Sequence, residues 1–99
     1  MITNPGHTEH VSPIFMENSS SVLRNCVITN NTVVDSLPVA QIDYGLLYNC
    51  LFYGNNTDTI VRLGARGLAL NNTIVVASDT TVALDSRIRP AAAQNNIAL

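Results

Sequence analysis

Tryptophan is absent from this 99-residue sequence, and three tyrosines and two phenylalanines are its only aromatic residues. Charged residues make up 12% of the chain, against about a quarter in an average domain. The net charge of -2 supplies no basic surface for nucleic acid, and no apolar run approaches the ~20 residues that a membrane helix needs. The sequence therefore excludes a nucleic-acid partner and a transmembrane segment.

Cysteine is also scarce, with two residues and no CxxC spacing, which excludes a disulfide scaffold and the common zinc motifs. The segment GHTEH contains His7, Glu9 and His10, but its spacing differs from the HExxH pattern of zinc proteases. We interpret this segment as a solvated loop. The sequence predicts no metal site and no cofactor.

A repeat organises the residues that are present. Asparagine recurs about every 24 residues, a period typical of solenoid repeats, at Asn25, Asn49, Asn72 and Asn96. The positions after these asparagines also recur in type, at Cys26, Cys50, Ile28, Phe52 and Val75. Residues two apart on a strand share one face, so we predict that the cysteine and isoleucine positions point inward together.

A repeat of this length favours a coil over a β-sandwich, because sandwich strands recur every 8–12 residues without recurring identities. Stacked coils place like residues ~4.8 Å apart, and stacked asparagines can then bond amide to amide. Further strand-like runs occupy residues 59–63 and 81–84. We predict an all-β fold, a right-handed single-stranded parallel β-helix of about four coils of 23–24 residues.

The pattern N-C-x-[IF]-x-x-N occurs in RNCVITNN at residues 24–31 and in YNCLFYGNN at residues 48–56. It resembles the coils of right-handed parallel β-helix proteins, which include pectate-lyase-like enzymes and bacterial surface passengers. FMEN at residues 15–18 and FYGN at residues 52–55 are also similar to the FxxN repeat of polymorphic outer-membrane proteins. The resemblance implies a secreted or cell-surface location.

Solenoids need polar caps on their terminal coils, and neither end of the sequence shows a recognisable one. Three hypotheses follow. Residues 1–99 are one segment of a longer solenoid, or the open ends pair with other subunits, or residues 84–94 fold back as a cap. The segment hypothesis is our prediction for the domain organisation.

The carboxylates form no catalytic pattern. None of the seven acidic residues lies at the three positions after a repeated asparagine, and glycoside hydrolysis needs two carboxyl groups ~5–9.5 Å apart. We therefore predict no catalytic residue in this segment. Cys26 and Cys50 are expected to be two buried free thiols in adjacent coils, because in-register side chains point the same way. A disulfide is the alternative, because the expected Cα separation suits one.

Two surfaces are candidates for binding. Tyrosine rings and arginine donors suit a sugar-stacking patch, formed by Tyr44, Tyr48, Tyr53, Arg62 and Arg66, although tyrosines in a solenoid also serve as packing residues. An outward apolar stripe is predicted at Val27, Leu51, Ile74 and Ala98. Such a stripe is covered either by a partner, including a second copy of the chain, or by an insertion that buries both faces of the strand.

The favoured function is a non-catalytic segment of a secreted or cell-surface β-helix that presents a binding face or serves as a stalk. Its expected ligands are glycans or protein surfaces. One alternative is a part of a polysaccharide lyase or glycoside hydrolase. A further alternative is a small self-assembling module that stacks end to end through its open coils.

Overall fold

The computed structural model describes residues 2–3, 8–9, 12–86 and 93–99, and His7 and His10 lie outside these ranges. The described ranges contain strands and turns and no helix, and they therefore contain no membrane-spanning helix. In chain order the strands are β1 (Thr8–Glu9), β2 (Ile14–Met16), β3 (Val22–Arg24), β4 (Val27–Thr29), β5 (Thr32–Val33), β6 (Ala40–Tyr48), β7 (Leu51–Tyr53), β8 (Thr59–Leu70), β9 (Thr73–Ile74), β10 (Val82–Asp85), β11 (Ala93–Gln94) and β12 (Ile97–Ala98).

Strands of successive turns pair in parallel and form three sheets. The broad sheet contains β2, β3, β6, β8, β10 and β11, the narrow sheet contains β4, β7, β9 and β12, and β1 pairs with β5. The chain is a β-solenoid of about three turns, and the predicted all-β parallel coil is confirmed. The sequence predicts about four coils, and parts of the first and last fall on residues outside the described ranges.

One corner of each turn is made by a single asparagine in the left-handed conformation, which asparagine tolerates better than most residues. Its φ is 57° at Asn25, 53° at Asn49, and 56° at both Asn71 and Asn95. The strand residues that precede these four asparagines pair with one another. Asn49 Nδ2 donates to Asn25 Oδ1 at 2.8 Å, so the corner asparagines bond from turn to turn.

The predicted register is therefore wrong by one residue in its second half, where it takes the repeated asparagines to be Asn25, Asn49, Asn72 and Asn96. Asn71, and not Asn72, occupies the left-handed corner above Asn49. The step from Asn49 to Asn71 is shorter by two residues than the step from Asn25 to Asn49. The adjacent asparagines at 71 and 72 conceal this shorter turn in the sequence.

Asn72 and Asn96 instead face inward and form an inner amide column. Asn96 Oδ1 accepts from Asn72 N and Asn72 Nδ2, both at 2.9 Å, and Asn96 Nδ2 donates to Ala69 O at 2.9 Å. Asn72 Oδ1 accepts from Cys50 N at 2.8 Å, and Asn72 Nδ2 donates to Leu47 O at 3.1 Å. These amides satisfy buried corner groups that the strand ladders leave unpaired.

The same geometry recurs at a second corner, where Asn31 and Asn55 are each 1% exposed. Asn55 Oδ1 accepts from Asn31 N at 3.1 Å and from Asn31 Nδ2 at 3.0 Å. Asn55 Nδ2 donates to Ile28 O at 2.9 Å. Stacked asparagines thus join neighbouring turns at two separate internal positions.

The core lies between the sheets and consists of stacked apolar columns. Phe52 is stacked between Ile28 and Ile74, and all three are at most 1% exposed. Burying one such side chain is worth about 1.5–3 kcal/mol. Val75, predicted to share this column, lies one residue beyond Ile74 and is half-buried.

Because of the same one-residue shift, the predicted outward apolar stripe of Val27, Leu51, Ile74 and Ala98 is wrong in its last two members. Ile74 faces the core, and the residues in register with Leu51 are Thr73 and then Ile97. The outward row therefore contains a threonine in its third turn. This polar residue interrupts the apolar surface that the sequence predicts.

Strands β6 and β8 are long, because each runs without a break past the point at which the preceding turn is divided into β2 and β3. We call this point, between Ile42 and Tyr44 on β6, the bend. β6 pairs with β2 at one end and with β3 at the other. The register of β6 on β8 shifts between Ile42 and Tyr44, as at a β-bulge. Gly67 permits the close approach of the strands, because a Cβ there would overlap the Ile42 carbonyl oxygen.

Candidate functional site

A groove of about 390 Å³ lies on the outer face of the broad sheet, just past the bend. We call it the tyrosine groove, because strand pairing sets Tyr44 of β6 beside Arg66 of β8 and both residues line it. Tyr44 is 38% exposed. The other lining residues are small or apolar: Ser19, Ser20, Ser21, Val22, Gly45, Leu46 and Leu68. Arg66 carries the only charge in this described lining.

A serine loop forms one side of the tyrosine groove. Asn18 Oδ1 accepts from Ser20 N at 2.9 Å and from Ser20 Oγ at 2.8 Å, which holds the loop in a tight turn. Leu46 N donates to Ser21 O at 3.0 Å. Gly45 has a φ of 99°, and a Cβ there would lie 2.6 Å from Ser21 O. Glycine at this position therefore lets the loop lie directly on β6.

The five predicted ligand-binding residues do not all come together. Tyr48 lies at the end of β6, is 36% exposed and pairs with Leu70, so it extends the face that holds Tyr44 and Arg66. Tyr53 is 43% exposed but belongs to the narrow sheet.

Arg62 lies before the bend on β8, away from the tyrosine groove. Arg62 Nη2 donates to Ser36 O at 3.0 Å, and Arg62 Nε lies 3.8 Å from Asp85 Oδ2. These contacts fix the guanidinium on a neighbouring loop and strand. The predicted patch therefore reduces to Tyr44, Arg66 and the adjacent Tyr48.

A second groove of about 320 Å³ lies on the same sheet, before the bend, and is lined by Ser12, Phe15, Leu37, Gln41 and Asp43. Phe15 is 54% exposed and lies opposite Gln41. Gln41 Nε2 donates to Asp43 Oδ1 at 2.7 Å. This groove adds an aromatic ring, an amide and a carboxylate to the outer face.

The geometry suits the holding of a ligand. In the described part of the chain, no group of three or more histidine, cysteine or acidic side chains is placed to hold a metal ion. The tyrosine groove offers an aromatic ring, apolar floor residues and guanidinium donors. A guanidinium donates hydrogen bonds and accepts none, so Arg66 suits the oxygen atoms of a ligand.

The two thiols differ in exposure and are expected to differ in reactivity. Cys26 is half-buried, whereas Cys50 is 3% exposed, and both are free. Burial raises the pKa of the Cys50 thiol, while hydrogen bonds with the backbone of Cys26 and Tyr48 oppose that rise in part. The thiolate is the reactive form, so a thiol reagent such as DTNB should label Cys26 first and Cys50 only on unfolding.

The raised pKa of Cys50 also predicts a pH dependence of stability. An unfolded thiol ionises near pH ~8.5, while the buried thiol keeps its proton to higher pH. The contribution of Cys50 to stability is therefore present below pH ~8.5 and is lost as the pH rises through the folded-state pKa. Cys26→Ser leaves Cys50 as the only thiol and so isolates its labelling rate. Equal labelling rates of the two thiols in the folded wild type would contradict this account.

Comparisons of the chain with protein families, with curated proteins and with solved structures found no match. Sequence reasoning missed the serine loop and the floor residues Leu46 and Leu68. One signal in the sequence could have found the groove. Tyr44-Gly45-Leu46 and Arg66-Gly67-Leu68 are similar segments that lie one turn apart, and they belong to the two strands that form its floor.

Proposed function

We propose that the chain is a non-catalytic segment of a secreted or cell-surface right-handed β-helix protein, and that it binds carbohydrate in the tyrosine groove. The observation that carries the proposal is the pairing of Tyr44 with Arg66 over an open groove on a sheet face. The location, the hand of the coil and the pectate-lyase-like type come from the sequence resemblance and the rule for parallel connections.

The groove lining suits a sugar ring, which has an apolar face and a rim of hydroxyl groups. Tyr44 provides an exposed ring with a polar tip. Arg66 provides guanidinium N–H donors in a planar fork. Leu46 and Leu68 provide an apolar floor. Ligand sites commonly combine a mainly apolar lining with a few placed polar groups.

Substitution of the groove residues is expected to weaken glycan binding. A panel of immobilised neutral and acidic polysaccharides identifies a retained glycan, and calorimetry then measures the dissociation constant of an oligosaccharide from it. Tyr44→Ala and Arg66→Ala should each raise that constant by about fivefold or more, because a hydrogen bond or stacked ring is worth about 1 kcal/mol.

Tyr53→Ala is the matched control, because Tyr53 is similarly exposed but lies on the narrow sheet. It should bind as the wild type does. An equal loss in all three variants, or retention on none of the glycans, would count against the proposal. Binding of a protein through the same residues, with no binding of glycan, would show that the ligand is a protein and not a carbohydrate.

The same incubations separate the enzymatic alternative. A part of a polysaccharide lyase would release unsaturated product, and a part of a glycoside hydrolase would create new reducing ends. We expect neither with the wild-type chain. If the wild-type chain formed either product and a variant of this chain did not, the binding proposal would be replaced by an enzymatic one.

A second candidate function is end-to-end stacking, which the exposed edge of β12 favours. Ile97 is 56% exposed and Leu99 is 68% exposed. A strand edge with unpaired backbone groups is a template for another strand. Stacking on this edge predicts a solution mass above the monomer, and a monomer at the concentrations of the binding assay would eliminate it.

A further inference from the structure

The inward corner column that contains Asn72 and Asn96 begins with the two cysteines. Cys26 and Cys50 each follow a left-handed corner asparagine, and the two corner asparagines bond to one another at 2.8 Å. Leu51 N donates to Cys26 O at 2.9 Å. The cysteines therefore occupy the same position in consecutive turns, one strand spacing or ~4.8 Å apart.

The two sulfur atoms lie against the same short stretch of backbone. Cys26 Sγ is 3.2 Å from Arg24 O, and Cys50 Sγ is 3.6 Å from Leu23 O. Cys50 Sγ is also 3.4 Å from its own turn's Tyr48 O. A thiol is a weak donor, so only weak hydrogen bonds are lost if the two thiols ionise.

This geometry suits a bridging cation better than a disulfide. A disulfide needs sulfurs ~2.05 Å apart and Cβ atoms ~3.5–4.5 Å apart, whereas parallel in-register side chains keep the strand spacing. Two metal–sulfur bonds of ~2.3 Å in a line span ~4.6 Å. That span is close to the ~4.8 Å spacing of paired strands, which in-register side chains with the same rotamer keep.

We propose that Cys26 and Cys50 form a two-thiolate site for a soft, two-coordinate cation of the Cu(I) class. Thiolate ligands select soft ions. No third histidine, cysteine or carboxylate joins this pair in the described part of the chain, so the site lacks the four ligands that structural zinc takes. The site is independent of the tyrosine groove and of carbohydrate binding.

Binding exchanges protons for the metal. Each thiol releases its proton to solvent, two metal–sulfur bonds form, and the oxidation state of the ion does not change. Cys26 is half-buried and provides the entry from solvent. Cys50 is buried and limits the access of water and oxidant to the bound ion.

Anaerobic transfer of Cu(I) from a chromogenic chelator to the reduced chain tests the proposal. We expect one Cu(I) per monomer by native mass spectrometry and about two protons released per ion, because both ligands must be deprotonated. Cys26→Ser and Cys50→Ser should each weaken binding more than about tenfold. Far-UV circular dichroism shows whether each variant is folded, and Cys26→Ser changes the less buried position, so at least that variant keeps the test valid.

Three outcomes of the copper titration would overturn the proposal. The first is no transfer of copper to the wild type. The second is undiminished transfer to the folded Cys26→Ser variant. The third is one ion per two chains, which would place the bridge between the exposed thiols of two molecules. An intramolecular disulfide that forms on mild oxidation, seen as a loss of two mass units, would also contradict the geometry argued here.

Discussion

Replacing Asn72 with alanine is expected to lower the free energy of unfolding by about 2–5 kcal/mol. Asn72 is 1% exposed, and its amide accepts from Cys50 N and donates to Leu47 O and Asn96 Oδ1. The truncation leaves the buried N–H of Cys50 without an acceptor, and each buried polar group left unpaired costs about 1–3 kcal/mol. For a chain of this size the melting temperature should fall by at least about 10 °C, as measured by circular dichroism.

Asn56→Ala is the matched control for that substitution. Asn56 is exposed and lies outside the left-handed corners, so its loss should change stability by less than about 0.5 kcal/mol. A similar small change in Asn72→Ala would show that the inner amide column contributes little. The turns would then be held together by apolar stacking alone.

Gly67→Ala is expected to be the second most damaging change, with a cost at or above the upper end of the ~1–3 kcal/mol typical of overpacking. The added methyl group would overlap the carbonyl oxygen of Ile42, which belongs to the backbone of the paired strand and cannot rotate away. β6 would have to separate from β8 at the bend. Because the bend also forms the tyrosine groove, glycan binding should fall with stability.

Gly54→Asn separates this packing effect from the general cost of losing a glycine. Gly54 has a φ of 66°, and a Cβ there meets Thr29 Oγ1 at 3.2 Å. Gly54 comes directly after Tyr53, which pairs with Thr29 of the preceding turn. Asn30 comes directly after Thr29 and has a similar φ of 59°, so Gly54 and Asn30 are equivalent positions. Asparagine is thus already accepted one turn away, and this variant should melt close to the wild type. Comparable losses at both glycines would contradict a specific role for the close approach at Gly67.

The class of fold could be predicted from the sequence because stacking leaves a trace in every turn. Cys26 and Cys50 are separated by the same sequence interval as Ile28 and Phe52, which pair in the narrow sheet. Such columns arise only where equivalent positions meet the same neighbours. Parallel strands without helices followed directly from this repeat.

The register of the later turns could not be predicted, because two physical effects coincide there. The turn that ends at Asn71 is two residues shorter than the preceding one, and Asn71 is followed by a second asparagine. One asparagine takes the left-handed corner and the next takes the inner amide column. Residue identity alone does not distinguish these roles, since asparagine suits both.

The candidate site was predictable only in part, for a related reason. Tyr44 and Arg66 meet because the bulge shifts the pairing of β6 on β8, and a bulge has no reliable sequence signal beyond its glycines. Tyr53 was misplaced because the corner at Asn49 sends the following strand to another sheet. Arg62 was misplaced because its guanidinium donates to the backbone oxygen of Ser36, a residue that is distant in the sequence, and is held away from the groove.

The register of the later turns is the claim on which the tyrosine groove and the inner amide column of Asn72 and Asn96 depend. Nuclear Overhauser contacts between backbone protons of adjacent turns, measured on isotopically labelled chain, test it most directly. We expect contacts of Tyr44 with Arg66 and of Tyr48 with Leu70. Contacts of Tyr48 with Asn71, the register of an unshifted asparagine repeat, would contradict it.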